Sequence, residues 1–271
     1  MKTTIQNITD LFDSAPYLPK QNETNQLGEA LADKNFTFLA GQQMYRLLLQ
    51  QKIDLHQHWA HFKHSWNTLE HDNFMADGGH YRLRRHATYR TSRADSLIEL
   101  VPYKPHYQSL DHNILNGGVE RYFAPLEPAT TGNPILARLL ELCRDVFNAM
   151  LPKCDWHIEV HQFRIETSQD SASPTPEGVH RDGVNFVFMM MIGRHQITGG
   201  TTFLYDHAGQ LLQQYTMVDA MESAFINDEQ ILHGVSPITP AMPGLRGHRD
   251  MLVITFRRAS GPAPTAEIKH E

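Results

Sequence analysis

The sequence has little cysteine, no long apolar run and no excess of positive charge. Cys143 and Cys154 are the only two cysteines in 271 residues. Their placement matches neither a metal-ligand spacing nor a disulfide framework, so they read as buried thiols of a reducing compartment. The opening Met1-Lys2-Thr3-Thr4-Ile5-Gln6-Asn7 lacks the apolar core of a signal peptide. No apolar stretch reaches bilayer-spanning length. These absences lead to the expectation of a cytoplasmic protein with no membrane partner. A formal charge of −6 argues against nucleic acid as the main partner. The one basic stretch, Arg82, Arg84, Arg85, Arg90 and Arg93, reads as a solvated strand face, with a substrate-facing cation as the alternative. Charged residues are 20% of the chain and hydrophobic residues 41%, as in an ordinary folded protein with a sizeable core.

What the chain has in quantity is histidine, 17 residues in all. At that density a His-x-Asp arises about once by chance, and two copies are present. His248-Arg249-Asp250 has only His270 after it, in a tail rich in Pro and Ala, so no downstream strand supplies it with a third ligand. His180-Arg181-Asp182 stands at the threshold of the apolar run Asn185 to Ile192. Residues i and i+2 of a strand face one way, so His180 and Asp182 can aim at one point. His233, in Ile231-Leu232-His233-Gly234-Val235, lies on a later strand. Together they form a facial 2-His-1-carboxylate set, which leaves three open positions and suits Fe(II) holding a bidentate co-substrate and O2. A kinase catalytic loop is excluded. Val187 stands where its Asn is needed, and no Gly-rich phosphate loop precedes it. His56, His58, His61 and His64 do not align on one helix face and have no carboxylate well placed among them, so they do not read as ligands.

A 2-oxo acid in such a site needs a cation for its distal carboxylate, and Arg supplies two parallel hydrogen bonds. Arg249, opening the strand after His233, is the candidate, with Arg246 and Arg257 as competitors. Arg249, Met251, Val253 and Thr255 share a face, so Thr255 follows Arg249 into the pocket.

In chain order, residues 1–34 read as a polar, loosely attached arm, and Phe36 to Gln50 as a helix. Tyr81 to Arg90 and Leu97 to Tyr103 read as strands. Asn133-Pro134 opens a helix whose Leu136, Leu139, Leu140, Cys143, Phe147 and Met150 face a core. From His157 on, some seven short strands alternate with turns, which suggests a β-sandwich or jelly roll. The expected class is α+β, mainly β. The expectation is one domain over residues 1–260, with a helical part at 1–156, a β core at 157–258 and a disordered tail at 261–271.

Pro176-Glu177-Gly178-Val179-His180-Arg181-Asp182-Gly183, the Gly199-Gly200 turn, Leu232-His233-Gly234-Val235 and Arg249-Asp250-Met251-Leu252-Val253 resemble the 2-oxoglutarate–Fe(II) dioxygenases that include the bacterial L-isoleucine 4-hydroxylases. The resemblance covers residues 157–258 in its motifs, and more weakly the N-terminal half, at Phe36 to Leu48 and Glu120-Arg121-Tyr122-Phe123. It implies a double-stranded β-helix (jelly roll) core with N-terminal helices packed on it. It implies His180, Asp182 and His233 as metal ligands and Arg249 as the 2-oxoglutarate anchor. The activity implied is hydroxylation or sulfoxidation of a free L-amino acid such as isoleucine, leucine or methionine, with release of succinate and CO2.

For such a substrate, Gln162, Arg164 and Glu166 share one strand face, and Arg164, or Arg181 beside the ligands, is the candidate for its carboxylate. The alternative for Arg164 is a structural ion pair. Glu159 is a weaker choice for the ammonium, because by parity it faces away from Arg164. Two other function classes use the same ligands. One is a redox-inert, cupin-like metal hydrolase or isomerase, which has no need of Arg249. The other is a non-catalytic binding protein that keeps the fold.

Overall fold

The computed structural model describes residues 22–49, 54–92, 97–113, 115–151, 154–168 and 170–259. Residues 1–21 of the expected arm and the expected tail at 261–271 lie outside this set. The helices are α1 (Asn22–Lys34), α2 (Gly41–Leu48), α3 (Leu55–His64), α4 (Pro128–Thr131) and α5 (Pro134–Met150). The strands of the first half are β1 (Phe36–Leu39), β2 (Glu70–His71), β3 (Arg82–Thr91) and β4 (Ile98–Leu100). Then come β5 (Trp156–Thr167), β6 (Phe186–His195), β7 (Ile197–Gly199), β8 (Thr202–Tyr205) and β9 (Leu211–Tyr215). The last four are β10 (Ser223–Asn227), β11 (Leu232–Val235), β12 (Ile238–Pro240) and β13 (Gly247–Arg258).

Two sequence expectations change near the N-terminus. Residues 22–34 are the helix α1 rather than a loose arm; they bury Leu27 and Leu31. At Gly28 a methyl group would come 2.9 Å from the Ala149 Cβ of α5, so the two helices approach at a position that only glycine allows. Phe36–Leu39 is a strand, not the start of a helix. Asn35, at φ 62°, ends α1 in the left-handed conformation that Asn tolerates. Phe-Thr-Phe-Leu then has strand-forming residues and pairs antiparallel with β10 at the sheet edge, Phe36 opposite Ile226.

Among the described residues the strands form a large antiparallel sheet, ordered β1-β10-β6-β13-β5-β3-β2 with β4 on β3, a small one, β11-β8-β9, and a two-stranded pair, β12-β7. The chain is mainly β, and the first half contributes more than helices, since β3 lies beside β5 in the large sheet. Alternation assigns the two faces of that sheet. Trp156, Ile158 and Val160 of β5, Phe186, Phe188 and Met190 of β6, and Leu252, Ile254 and Phe256 of β13 point toward the helices. There they meet Leu136, Leu139, Leu140, Cys143 and Phe147 of α5. The Phe147 and Phe186 rings stack at 4.5 Å. Asn133 caps α5 by accepting a 2.9 Å hydrogen bond from the Ile135 N–H. On the opposite face Val187, Met189, Met191 and Met251 pack toward Leu204 of the small sheet. With one face sealed by helices, only the space between the two sheets remains for a site.

Candidate metal centre and its pocket

His180, Asp182 and His233 converge between the sheets, their ligand atoms within 4.8 Å of one another. His180 lies just before β6 and His233 on β11. Their backbones form an antiparallel bridge, with both N–H···O bonds at 2.9 Å. The loop carrying Asp182 is held by Asp228, whose buried carboxylate accepts the N–H groups of Asp182 (3.0 Å), Gly183 (2.9 Å) and Val184 (3.1 Å). Gly183, at φ 77°, has no room for a side chain, because a Cβ would lie 2.2 Å from the His112 ring.

The His180 imidazole is oriented as a metal ligand requires. His180 Nδ1 lies 3.0 Å from the Gly178 carbonyl. A carbonyl only accepts, so Nδ1 carries the proton and Nε2 presents its lone pair. His180 Nε2 and His233 Nε2 lie 3.6 and 3.7 Å from the two oxygens of Asp182. Burial opposes charge on Asp182, yet His180 and His233 hold it well below the usual carboxylate range. Burial also opposes charge on His180, but the Asp182 contact and the Glu177 charge raise it to about 9. A field that draws a proton to this point favours a cation there. Two imidazole Nε2 atoms and a carboxylate, none taken up by a cationic side chain, fit Fe(II).

The cavity around them measures about 350 Å³. Arg249, Thr255, Val187, Met189, Met251 and Val253 line it. Arg249 is 4% exposed, and its Nε has no hydrogen-bond partner among the described residues. Burial and the neighbouring Arg194 lower it to about 10. It is a buried cation in need of an anion. Arg257 also lines the cavity, whereas Arg246 lines a separate surface depression with His248. Arg249 and Thr255 share the cavity but not one locality. Six residues at about 3.3 Å per residue put them about 20 Å apart along β13, more than one five-carbon diacid spans.

The proposed substrate contacts on β5 are not brought to the cavity. Arg164 and Gln162 lie on the face that carries Trp156, Ile158 and Val160. Arg164 makes a two-point ion pair with Asp250, Nε to Oδ1 and Nη2 to Oδ2, each 2.7 Å. The structural alternative for Arg164 is the arrangement found. Gln162 donates to the Ser65 hydroxyl at 2.7 Å. Arg181 is half-buried and not among the cavity-lining residues. The opposite face of β5 supplies Glu159, His161, Phe163 and Ile165 to the lining. Across the register, β3 adds Arg82 opposite Ile165 and Arg84 opposite Phe163. Arg82 and Arg84 are 6% and 4% exposed, so this part of the basic stretch is a buried pocket wall rather than a solvated face. Their period-two spacing carried that signal.

A second histidine cluster, His86, His106, Glu159 and His161, adjoins the first. Arg84 Nη2 lies 2.8 Å from His161 Nδ1. Arginine only donates, so the neutral His161 ring carries its proton on Nε2, toward Glu159 at 3.9 Å. His106 Nδ1 lies 2.9 Å from Glu159. Lone pairs turned to a guanidinium, with further arginines alongside, make this a hydrogen-bonded wall rather than a cation site.

Comparison with known proteins agrees with this geometry. The 2OG-Fe dioxygenase family model matches residues 63–255, well over half of the chain. The chain belongs to that family, the Fe(II)- and 2-oxoglutarate-dependent dioxygenases, which consume O2. It is similar to the 3(1)-hydroxy-L-isoleucine 4-dioxygenase of Pantoea ananatis, at 24% identity over 58% of this chain and 65% of that protein, a little under two thirds of its length. It is also similar to the L-isoleucine-4-hydroxylase of Bacillus thuringiensis, at 21% identity over 82% of this chain and 88% of that one. Among solved structures, a bsmA homolog from Methylobium petroleophilum PM1 superposes with a TM-score of 0.79, at 32% identity, covering 89% of this chain and 95% of that one.

Proposed function

We propose that this protein hydroxylates, or sulfoxidises, a free L-amino acid with an aliphatic side chain, such as isoleucine, leucine or methionine. The co-substrates are 2-oxoglutarate and O2, and the co-products are succinate and CO2. The observation that carries this reading is one cavity holding both the His180/Asp182/His233 set and an unpartnered buried Arg249. The isoleucine-directed names of two relatives support the substrate class.

In this reading His180, Asp182 and His233 hold Fe(II), which, once bound, supplies the oxidant that oxidative decarboxylation of 2-oxoglutarate generates. Arg249 receives the distal carboxylate of 2-oxoglutarate. The Gly178 carbonyl and the Asp228 carboxylate keep the ligands in register. Val187, Met189, Met251 and Val253 keep water from the reacting centre. A redox-inert hydrolase has no use for Arg249. We read the two facing sheets as a jelly roll, residues 1–260 as one domain, and the setting as cytoplasmic. No helix among the described residues is long and apolar enough to cross a membrane.

The test is succinate release from 2-oxoglutarate, with Fe(II) and O2, across a panel of free L-amino acids, with His180→Ala as control. One or a few aliphatic amino acids should stimulate the wild type, and the variant should stay at background. Equal silence of both proteins, with iron loaded in the wild type, would overturn the assignment.

A further inference from the structure

We infer that Glu177 and Arg121 are the two ends of a clamp for the amino-acid substrate, Glu177 receiving its α-ammonium and Arg121 its α-carboxylate. This rests on the reading of the site as an amino-acid dioxygenase. Both residues line the cavity. Arg121 is buried, at 3% exposure, and Glu177 is half-buried, its side chain 12% exposed. Both are unsatisfied, since Glu177 Oε2 and Arg121 Nε have no hydrogen-bond partner among the described residues. Arg121 lies within the field of the Glu177 charge, yet no ion pair within 4.0 Å joins them among the described residues. Opposite charges held apart in one cavity, each with a buried polar atom left without a partner, are costly in the free protein. A ligand carrying both charges resolves the two deficits together.

Apart from Arg249, which this reading gives to 2-oxoglutarate, the charges of Arg82, Arg84 and Glu159 in the pocket already have partners. Arg82 and Arg84 share Asp72, at 2.8 and 3.5 Å, and Arg84 also lies 3.5 Å over the Phe123 ring. Glu159 has His106 at 2.9 Å and His86 at 3.5 Å. Arg164 is held by Asp250.

Both ends of the clamp are tied to the metal ligands. Glu177 Oε1 lies 3.5 Å from His180 Nε2. Arg121 Nη2 donates to Gln108 Oε1 at 3.2 Å, and Gln108 Nε2 donates to the Asp182 carbonyl at 3.0 Å. The Arg121 backbone is fixed by an antiparallel bridge to His106, with hydrogen bonds of 2.9 and 3.0 Å. A substrate gripped by its backbone charges thus stands at a set distance from the metal and presents its side chain. A residue within a peptide lacks both free ends and is not a substrate.

The test uses whichever of L-isoleucine, L-leucine or L-methionine best drives wild-type succinate release, with its primary amide and its des-amino acid. These are assayed on the wild type, Glu177→Gln, Arg121→Met and, for comparison, Glu159→Gln. Loss of one charge-assisted partner should raise KM for the amino acid by about 10- to 100-fold in the Glu177 and Arg121 variants. Each clamp variant should also lose discrimination against the analogue that lacks the matching group. Glu177→Gln should no longer distinguish the des-amino acid, nor Arg121→Met the amide. If either variant lacks a cooperative melt, Glu177→Asp and Arg121→Lys replace it, with a smaller rise expected.

KM values within about twofold of wild type would overturn the clamp. So would a loss carried by Glu159→Gln instead, or a Glu177→Gln protein that loses iron rather than amino-acid affinity. A wild type that no amino acid stimulates overturns the function itself, an outcome visible before any variant is made.

Discussion

The two faces of β5 carry charge in opposite ways. On the helix-side face Arg164 is locked to Asp250 by two 2.7 Å contacts, and Gln162 is bonded to Ser65. The cavity face looks onto Arg249, Arg121 and Glu177, each with a buried polar atom left unpartnered. Charge on the first face is part of the fold. Around the second, Glu159 is paired with His106, but these three side chains each keep a polar atom without a partner, at a cost to the free protein.

The largest contrast should come from Arg249→Ala. It should raise KM for 2-oxoglutarate by about 100-fold. It should also leave the melting temperature unchanged or higher, because it removes an uncompensated buried cation. Steady-state kinetics beside a thermal melt check both signs, and a lowered melting temperature would make Arg249 part of the fold. Next is Arg164→Ala, which leaves Asp250, 3% exposed, without its partner. It should lose about 3 kcal/mol of stability while KM for the amino acid stays put, as denaturant unfolding and kinetics would report. A raised KM would return Arg164 to the substrate site.

The smallest effect concerns Asp72, behind the pocket wall. Burial opposes its charge, but Arg84 and Arg82 hold its pKa below the ordinary value. A carboxylate lowered in the folded state stabilises it above the unfolded value of about 3.9 and loses that contribution as pH falls. Wild type should therefore lose stability on acidification below about pH 4 more steeply than Asp72→Asn, as melts across that range would show. Identical acid profiles would mean that Asp72 contributes nothing.

The ligand set was legible because it is local and ordered. His180 and Asp182 share strand parity, and His233 stands on a later strand. Arg249 follows from the same logic. The faces of β5 were misread because parity tells which residues share a face, not which face looks inward. The signal was nonetheless there. Trp156, Ile158 and Val160 begin β5 with an apolar face toward the helices, and Gln162 and Arg164 continue that face, which leaves Glu159 and His161 for the cavity. Arg121 lies in the weaker part of the resemblance, which gave it no role, and Gln108 was beyond such reasoning. They sit in a stretch between β4 and α4 that has no periodic pattern, and only its tertiary course, fixed by the His106–Arg121 bridge, carries them over the site.

The Asp228 carboxylate under the 182–184 loop has one more consequence. It ties the backbone of the loop that bears Asp182 to the β10–β11 turn through one side chain, while the His180–His233 bridge ties the other two candidate ligands. No coordination bond takes part in either link. An iron held by these residues would enter a socket whose links do not depend on it. Chelation and reloading should be rapid and reversible, with no refolding in between.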